Sequence, residues 1–296
     1  MQNSDDSFLA SKLLPRVAVA RNSGVFPKWG KEALVIQSDL RRTGRSLTRE
    51  IGITRSTGTW GPLTEKALKY FLSSDEARMY STPLESQTQA LNVLNQQMLL
   101  AEEYQAAKTL TSTTVITNNV TLTSGSQFND SAADPIKTIV TGIRAVEEAS
   151  FVSPNTIVFS RKAWNALLEH PSIVDRFKYV QASIIGKKEI LAILAPHGIE
   201  NIEIAKARGT LVDTENPSAA GNLIDLWGKD VLITHVTPRP ALNTINGGYT
   251  LYIEGEKFVD RWDVKDPIGE YIRHRDYYDQ VLFSTDVYYL IKNAVA

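Results

Sequence analysis

The sequence predicts a mixed α+β protein. Three observations carry that class: two helical periodicities between about Thr82 and Val146, apolar runs alternating with capped helices after Ser153-Pro154, and strand-like alternation from Tyr249 onward. At 296 residues, against roughly 150 per domain, the chain has the length of about two units or one elaborated one. Its apolar fraction of 43% and charged fraction of 22% are those of a globular chain, so disorder is not expected.

The first quarter is basic and rich in punctuation. Up to Tyr70 it carries twelve basic residues against six acidic ones, +6, while the whole chain sums to −1. Gly44, Gly52, Gly58, Gly61 and Pro62 break it into short β-prone pieces, and Ser46 to Thr54 with Thr64 to Leu72 reads as an extended two-stranded hairpin. A ribbon with little core of its own is marginal alone, so the extension is expected to find burial on a partner surface.

A long helix follows. Thr82-Pro83-Leu84-Glu85 places an N-cap, a proline at the first helical position and a capping-box glutamate, and Leu84, Leu91, Leu94, Met98 and Ala101 recur at helical spacing to about Leu110. Residues Thr111 to Ser131 read as a polar hairpin or loop, whose sequons at Asn119 and Asn129 are taken as loop chemistry. Asp134-Pro135 opens a second helix with Ile136, Ile139, Val140, Ile143 and Val146 on one face.

Beyond Ser153-Pro154 the expected order is a strand at Thr156 to Phe159, a helix capped by Ser160, a stop at His170-Pro171, a helix over about Lys188 to Ala195 ending near Gly198, and a strand at Ile199 to Ala205. Thr210 to Val212, a turn at Asn216 to Gly221 and Leu223 to Val236 around Trp227-Gly228 come next. After a turn at Asn246-Gly247-Gly248, four strand segments close the chain: Tyr249 to Ile253, Tyr271 to His274, Val281 to Ser284 and Val287 to Ile291.

Several functional classes are excluded by residue type. No cysteine occurs, which removes disulfides, thiolate nucleophiles and cysteine-ligated metals. The acidic Met1 to Ser7 stretch and the lysine at position 12 are unlike a secretory leader, and no apolar run approaches membrane-spanning length, so neither export nor membrane insertion is expected. Phosphate-loop, dinucleotide, nucleophile-elbow and zinc-protease motifs are all absent. The four histidines, His170, His197, His235 and His274, stand apart and read as loop or helix-end residues. Glu102-Glu103 and Glu147-Glu148 read as solvated helix faces. Asp260, Asp263 and Asp266 read as loop acidity, with a carboxylate-dependent hydrolase as the alternative they would support. No catalytic, cofactor-binding or metal-ligating residue is assigned.

The remaining candidates are for contact between subunits. Arg41-Arg42-Thr43-Gly44-Arg45 lacks the interleaved aromatics of a nucleic-acid reader and fits an acidic protein surface better. Trp29 and Trp60 lie in the extension, where no core is expected for them, whereas Trp164 and Trp227 fall in core positions. The interface set is therefore Trp29, Arg41, Arg42, Arg45, Trp60 and Lys66.

This order of parts resembles the major capsid proteins of tailed bacteriophages, with the Hong Kong 97-type fold shared by encapsulin shells. The resemblance runs from about Phe26 to Ala296. It rests on Phe26 to Leu34 (FPKWGKEAL), the helix Thr82 to Thr109, Asp134-Pro135-Ile136, Asn155 to Trp164 (NTIVFSRKAW) with His170-Pro171, Trp227-Gly228-Lys229-Asp230, and the close at Val287 to Val295. It implies an N-terminal arm at 1–35, an extended loop at 36–80, a peripheral domain with a spine helix at 81–152, an axial domain at 153–245 and terminal strands returning to the peripheral domain at 246–296. It further implies self-assembly through pentamers and hexamers into an icosahedral head enclosing double-stranded DNA, assembly in the bacterial cytoplasm, and scaffolding, portal and decoration proteins as partners. An encapsulin-like compartment is the neighbouring alternative.

Two family features do not carry over. Asp279 stands about where some members place the asparagine of an intersubunit isopeptide bond, so that crosslink is not expected. About 25 residues before the resemblance begins leave no room for a long fused scaffolding helix, so a separate scaffolding protein or prior trimming is expected.

Overall fold

The computed structural model describes residues 7–28, 41, 44, 56–79, 83–150, 152–177, 185–210, 221, 223–241 and 244–296. From the N-terminal side come α1 (Ala10–Leu13), β1 (Arg16–Val19), β2 (Gly24–Lys28), β3 (Ser56–Trp60), β4 (Thr64–Ser73) and α2 (Ser74–Ala77). The long α3 (Pro83–Leu110), β5 (Asn119–Thr121) and α4 (Pro135–Ala149) follow. The α/β stretch holds β6 (Thr156–Ser160), α5 (Arg161–Glu169), α6 (Pro171–Phe177), α7 (Lys187–Leu194), β7 (Asn201–Ala205), β8 (Arg208–Thr210), β9 (Leu223–Asp225) and β10 (Val231–Thr234). The chain closes with β11 (Gly248–Ile253), β12 (Phe258–Lys265), β13 (Ile268–Leu282) and β14 (Tyr288–Lys292).

One five-stranded sheet, in the order β5-β14-β10-β6-β7, is buried on both sides. Ile157, Phe159, Ile233 and Ile291 face a core completed by α4, α5 and α7, while Val158, Leu232 and Leu290 on the opposite face pack with Leu9, Leu13 and Leu110. Because both faces are covered, β6, β10 and β14 are continuous apolar runs rather than alternating ones. α4 can approach this sheet because residue 142 is glycine. A Cβ there would meet Ile233 and Tyr289 side-chain atoms at 2.7 Å.

Local capping sets the helix starts. Asp134 accepts from the Lys137 amide to open α4, and the Ser160 hydroxyl accepts from Ala163 N to open α5. His170-Pro171 ends α5 as expected, and Pro171 then begins α6.

The second five-stranded sheet runs β1-β11-β13-β12, with β4 also paired to β13. β13 is one strand of 15 residues, where the sequence suggested two shorter pieces separated by its charged middle. Its residues from 269 to 278 pair antiparallel with β4, and those from 268 to 275 pair with β12. The expectations for this region divide. The Thr64 to Leu72 strand forms, but its partner among the described residues is β13; Ser46 to Thr54 lies outside the described residues. A hairpin base does exist in the extension, built by β2 and β3. Asp260 and Asp263 stand in strand β12, not in a loop.

α3 has 28 residues, about 42 Å at 1.5 Å per residue. It crosses both halves of the molecule. Ala90 and Leu94 pack on Ile272 of the second sheet, and Ala106, Ala107 and Leu110 join the core beneath the first. Of the expected stripe, Leu94 and Met98 are buried, Leu91 is half-buried and Ala101 is exposed.

Candidate assembly surface and its carboxylate anchor

At the middle of α3 the buried face is polar. Glu102 and Glu103, read from sequence as a solvated pair, are both buried, Glu103 completely. The exposed pair is Glu147-Glu148 alone. Consecutive helical residues point about 100° apart, so the two buried carboxylates serve different neighbours.

Glu103 faces the first sheet. Its Oε2 accepts from the backbone amides of Leu9 at 2.8 Å and Ala10 at 2.7 Å, and its Oε1 accepts from Trp227 Nε1 at 2.5 Å. One side chain thereby ties the N-terminal segment, the long helix and the turn before β10. Burial pushes the Glu103 carboxyl up; the bonds from Trp227, Ala10 and Leu9 pull it down, and the Glu102 charge adds to the upward push, leaving it raised.

Glu102 faces the second sheet. Arg16 of β1 reaches Glu102 Oε2 at 2.9 Å with one terminal nitrogen and Asp276 Oδ2 of β13 at 3.0 Å with the other. Its guanidinium also lies 5.2 Å from the centre of the Tyr278 ring. Desolvation works against the Arg16 charge, but the two carboxylates outweigh it and hold the group protonated. The ion pairs therefore join three elements distant in sequence.

The exposed face of the β12-β13-β4 ribbon carries a second pattern. Trp262, Tyr271 and Phe71 occupy one row of the register, with ring centroids 5.4 Å and 5.0 Å apart. Arg273 lies over Trp262 at 5.5 Å and Lys69 over Tyr271 at 4.5 Å. Asp260 takes Arg273 at 2.7 Å and Arg275 at 3.2 Å; the hydrogen bond from Arg273 lowers its pKa, and Arg275 adds to the effect. Phe258 and Trp262 are exposed on this face. An apolar row interleaved with charges, open to solvent in the single chain, is a surface suited to association.

The sequence-derived interface residues scatter. Trp29, Arg42 and Arg45 lie outside the described residues. Arg41 is exposed, and Lys66 is half-buried on β4 opposite Asp276 in register. Trp60 was assigned to the interface because no core was expected near it, and that premise fails. It is only 9% exposed, 6.4 Å from Phe26 in a stacked arrangement, inside a cluster with Phe283, Tyr249 and Leu251. Its own chain covers it, since β11 and the residues after β13 return beside the N-terminal hairpin base. Trp164 and Trp227 are buried as expected.

The histidines also divide. His170 is a buried helix-end residue, with Nδ1 against Ser172 Oγ and Nε2 against the Asp130 carbonyl. His274, expected in a loop or at a helix end, sits in the middle of β13 and is buried. Among the described residues no group of three or more His, Asp or Glu could hold a metal, and no helix is long and apolar enough to cross a membrane.

Comparison with known proteins shows what this architecture is similar to. The family model for phage major capsid protein E matches residues 88–225, the stretch from α3 through β9. The major capsid protein of Burkholderia phage BcepMu is 25% identical over 303 aligned positions, covering 96% of this chain and 90% of that one. Over these stretches the chain is similar to phage major capsid proteins. Among solved structures, a phage-related protein from Bordetella bronchiseptica RB50 superposes with a TM-score of 0.78 at 23% identity, over 99% of this chain and 93% of that one. The capsid of cyanophage P-SCSP1u superposes at 0.59 with 9% identity, over 99% and 90%. These likenesses show a mixed α+β fold of the Hong Kong 97 type.

Proposed function

We propose that this chain is a major capsid protein that builds its shell by laying the middle of its basic N-terminal extension, residues 29–55, over a neighbour. Residues 1–35 serve as the arm, 36–80 as the extended loop, 81–152 as the peripheral domain with α3 as its spine, 153–245 as the axial domain, and 246–296 as strands returning to the peripheral domain. Copies close into pentamers and hexamers, in the host cytoplasm, with scaffolding, portal and decoration proteins, around double-stranded DNA held without sequence-specific contacts. The observation that supports this reading is the long α3, which packs on the ribbon at one end and beneath the doubly covered sheet at the other, as a spine would. Charge supports it as well, since a +6 extension complements the −7 left on the remainder.

An encapsulin shell shares the fold, but the family model and the curated relative are both phage capsid proteins. Expression with a scaffolding protein, followed by sedimentation and negative-stain microscopy, tests the proposal. Closed icosahedral particles are expected from the full chain, and open or absent particles from a chain lacking residues 29–55. Particles unchanged by that deletion would overturn the overlap of neighbours.

A further inference from the structure

Between α3 and β13 lies a cleft of about 460 Å³ that none of the preceding roles uses. Arg16, Glu102, Lys257, His274 and Asp276 line it, with Asn95 among the amides on the helix side. Arg16 uses its two terminal nitrogens on Glu102 Oε2 and Asp276 Oδ2. The second oxygen of each carboxylate, Glu102 Oε1 and Asp276 Oδ1, is buried without a hydrogen-bond partner, and so is His274 Nδ1. All three side chains belong to residues at most 5% exposed. Burial, Lys257 and Arg16 lower the His274 pKa against the opposing pull of Asp276, so the imidazole stays neutral near pH 7 and adds no charge.

Buried carboxylate oxygens are acceptors only, and two carboxylates share one guanidinium here. A neutral imidazole nitrogen beside them also accepts when its other nitrogen carries the proton. We propose that this cleft binds a cationic group rich in N–H donors, a guanidinium above all. Five N–H donors in a planar fork match acceptors on two carboxylates and a ring, and charge-assisted bonds are the strong ones. The group has two possible sources: an arginine of a second copy, of which residues 29–55 carry Arg41, Arg42, Arg45, Arg49 and Arg55, or a free organic cation. Lys257 lines the same cleft and opposes any incoming positive charge.

The unassembled chain tests the chemistry without depending on the shell. With four histidines the labelled imidazole spectrum is sparse, and His274 is assigned through His274→Gln. Methylguanidinium is expected to shift the His274 signal saturably, urea to bind at least tenfold more weakly, and inorganic phosphate not to shift it. Lys257→Met should tighten methylguanidinium binding, and Asn95→Trp, which plugs the exposed rim without touching an ion pair, should abolish it. No saturable shift, equal binding of urea, or a phosphate-specific shift would overturn the site. Equilibrium dialysis of labelled methylguanidinium against assembled particles then separates the sources, and this arm alone rests on the proposed overlap of neighbours. Particles that exclude the probe until those five arginines become glutamine assign the site to a second copy; particles that bind it unchanged assign it to a free cation.

Discussion

Replacing Glu103 by glutamine keeps the shape of the side chain and removes half of its accepting capacity. The native carboxylate serves Leu9 N and Ala10 N through one oxygen and Trp227 Nε1 through the other, with no solvent exposure. A carboxamide can turn its oxygen toward the amides or toward the indole. Whichever it chooses, its NH2 then points at a buried N–H. At least one orphaned donor and the loss of charge assistance together cost about 2–4 kcal/mol. Urea unfolding of the unassembled chain, followed by near-ultraviolet circular dichroism, should show that loss at an unchanged m-value. Trp227→Phe removes the competing donor, so the double variant should be less destabilised than the two singles added, by about 1 kcal/mol or more.

The pH dependence has a definite sign. Because the native carboxyl titrates above its unfolded value, the folded state holds its proton more tightly, and that contribution is complete below the ordinary glutamate range and lost as pH rises through the native value. Glu103→Gln has no such titration, so its penalty relative to wild type should shrink from acidic to neutral pH. A penalty below about 0.5 kcal/mol, or strict additivity with Trp227→Phe, would refute the role of Glu103 as the joint between the N-terminal segment and the first sheet.

Two further outcomes separate core from interface. Trp60→Ala should destabilise the isolated subunit by about 3–5 kcal/mol in chemical denaturation, because Phe26 and Phe283 lose their covering ring; an intact subunit that merely fails to assemble would show that the ring's partners lie on another copy. Tyr288→Phe should leave stability unchanged or raise it by about 1 kcal/mol, since the Tyr288 hydroxyl is wholly buried and unpartnered. A clear loss in the same denaturation assay would mean that the hydroxyl is satisfied.

Local chemistry made much of the fold legible. Asp134-Pro135, Ser160 and His170-Pro171 act within a few residues of themselves, and the helices begin and end where those residues put them. The pairing of β4 was not legible, because its partner lies some two hundred residues away and β propensity carries no address. The sequence suggests two pieces, Tyr271 to His274 and Val281 to Ser284, but the chain runs through 275–280 as one strand whose alternating burial is set by α3 on one face. The carboxylate anchor did leave a trace. Counting by four from Ala90 through Leu94 and Met98 reaches Glu102 and then Ala106 and Leu110, a buried row with one acid inside it. A glutamate at a core position of a helical period asks for a buried partner, and Arg16 is that partner.

Composition, caps and periodicity fixed the class, the helices and the order of parts, because each of those depends on interactions within about a dozen residues. Which charges are buried, which tryptophan has a core and which face of the ribbon stays open depend on contacts between segments far apart in the chain. Trp60 shows the difference: its neighbours in sequence offer no core, and Phe283 supplies one from the other end of the molecule.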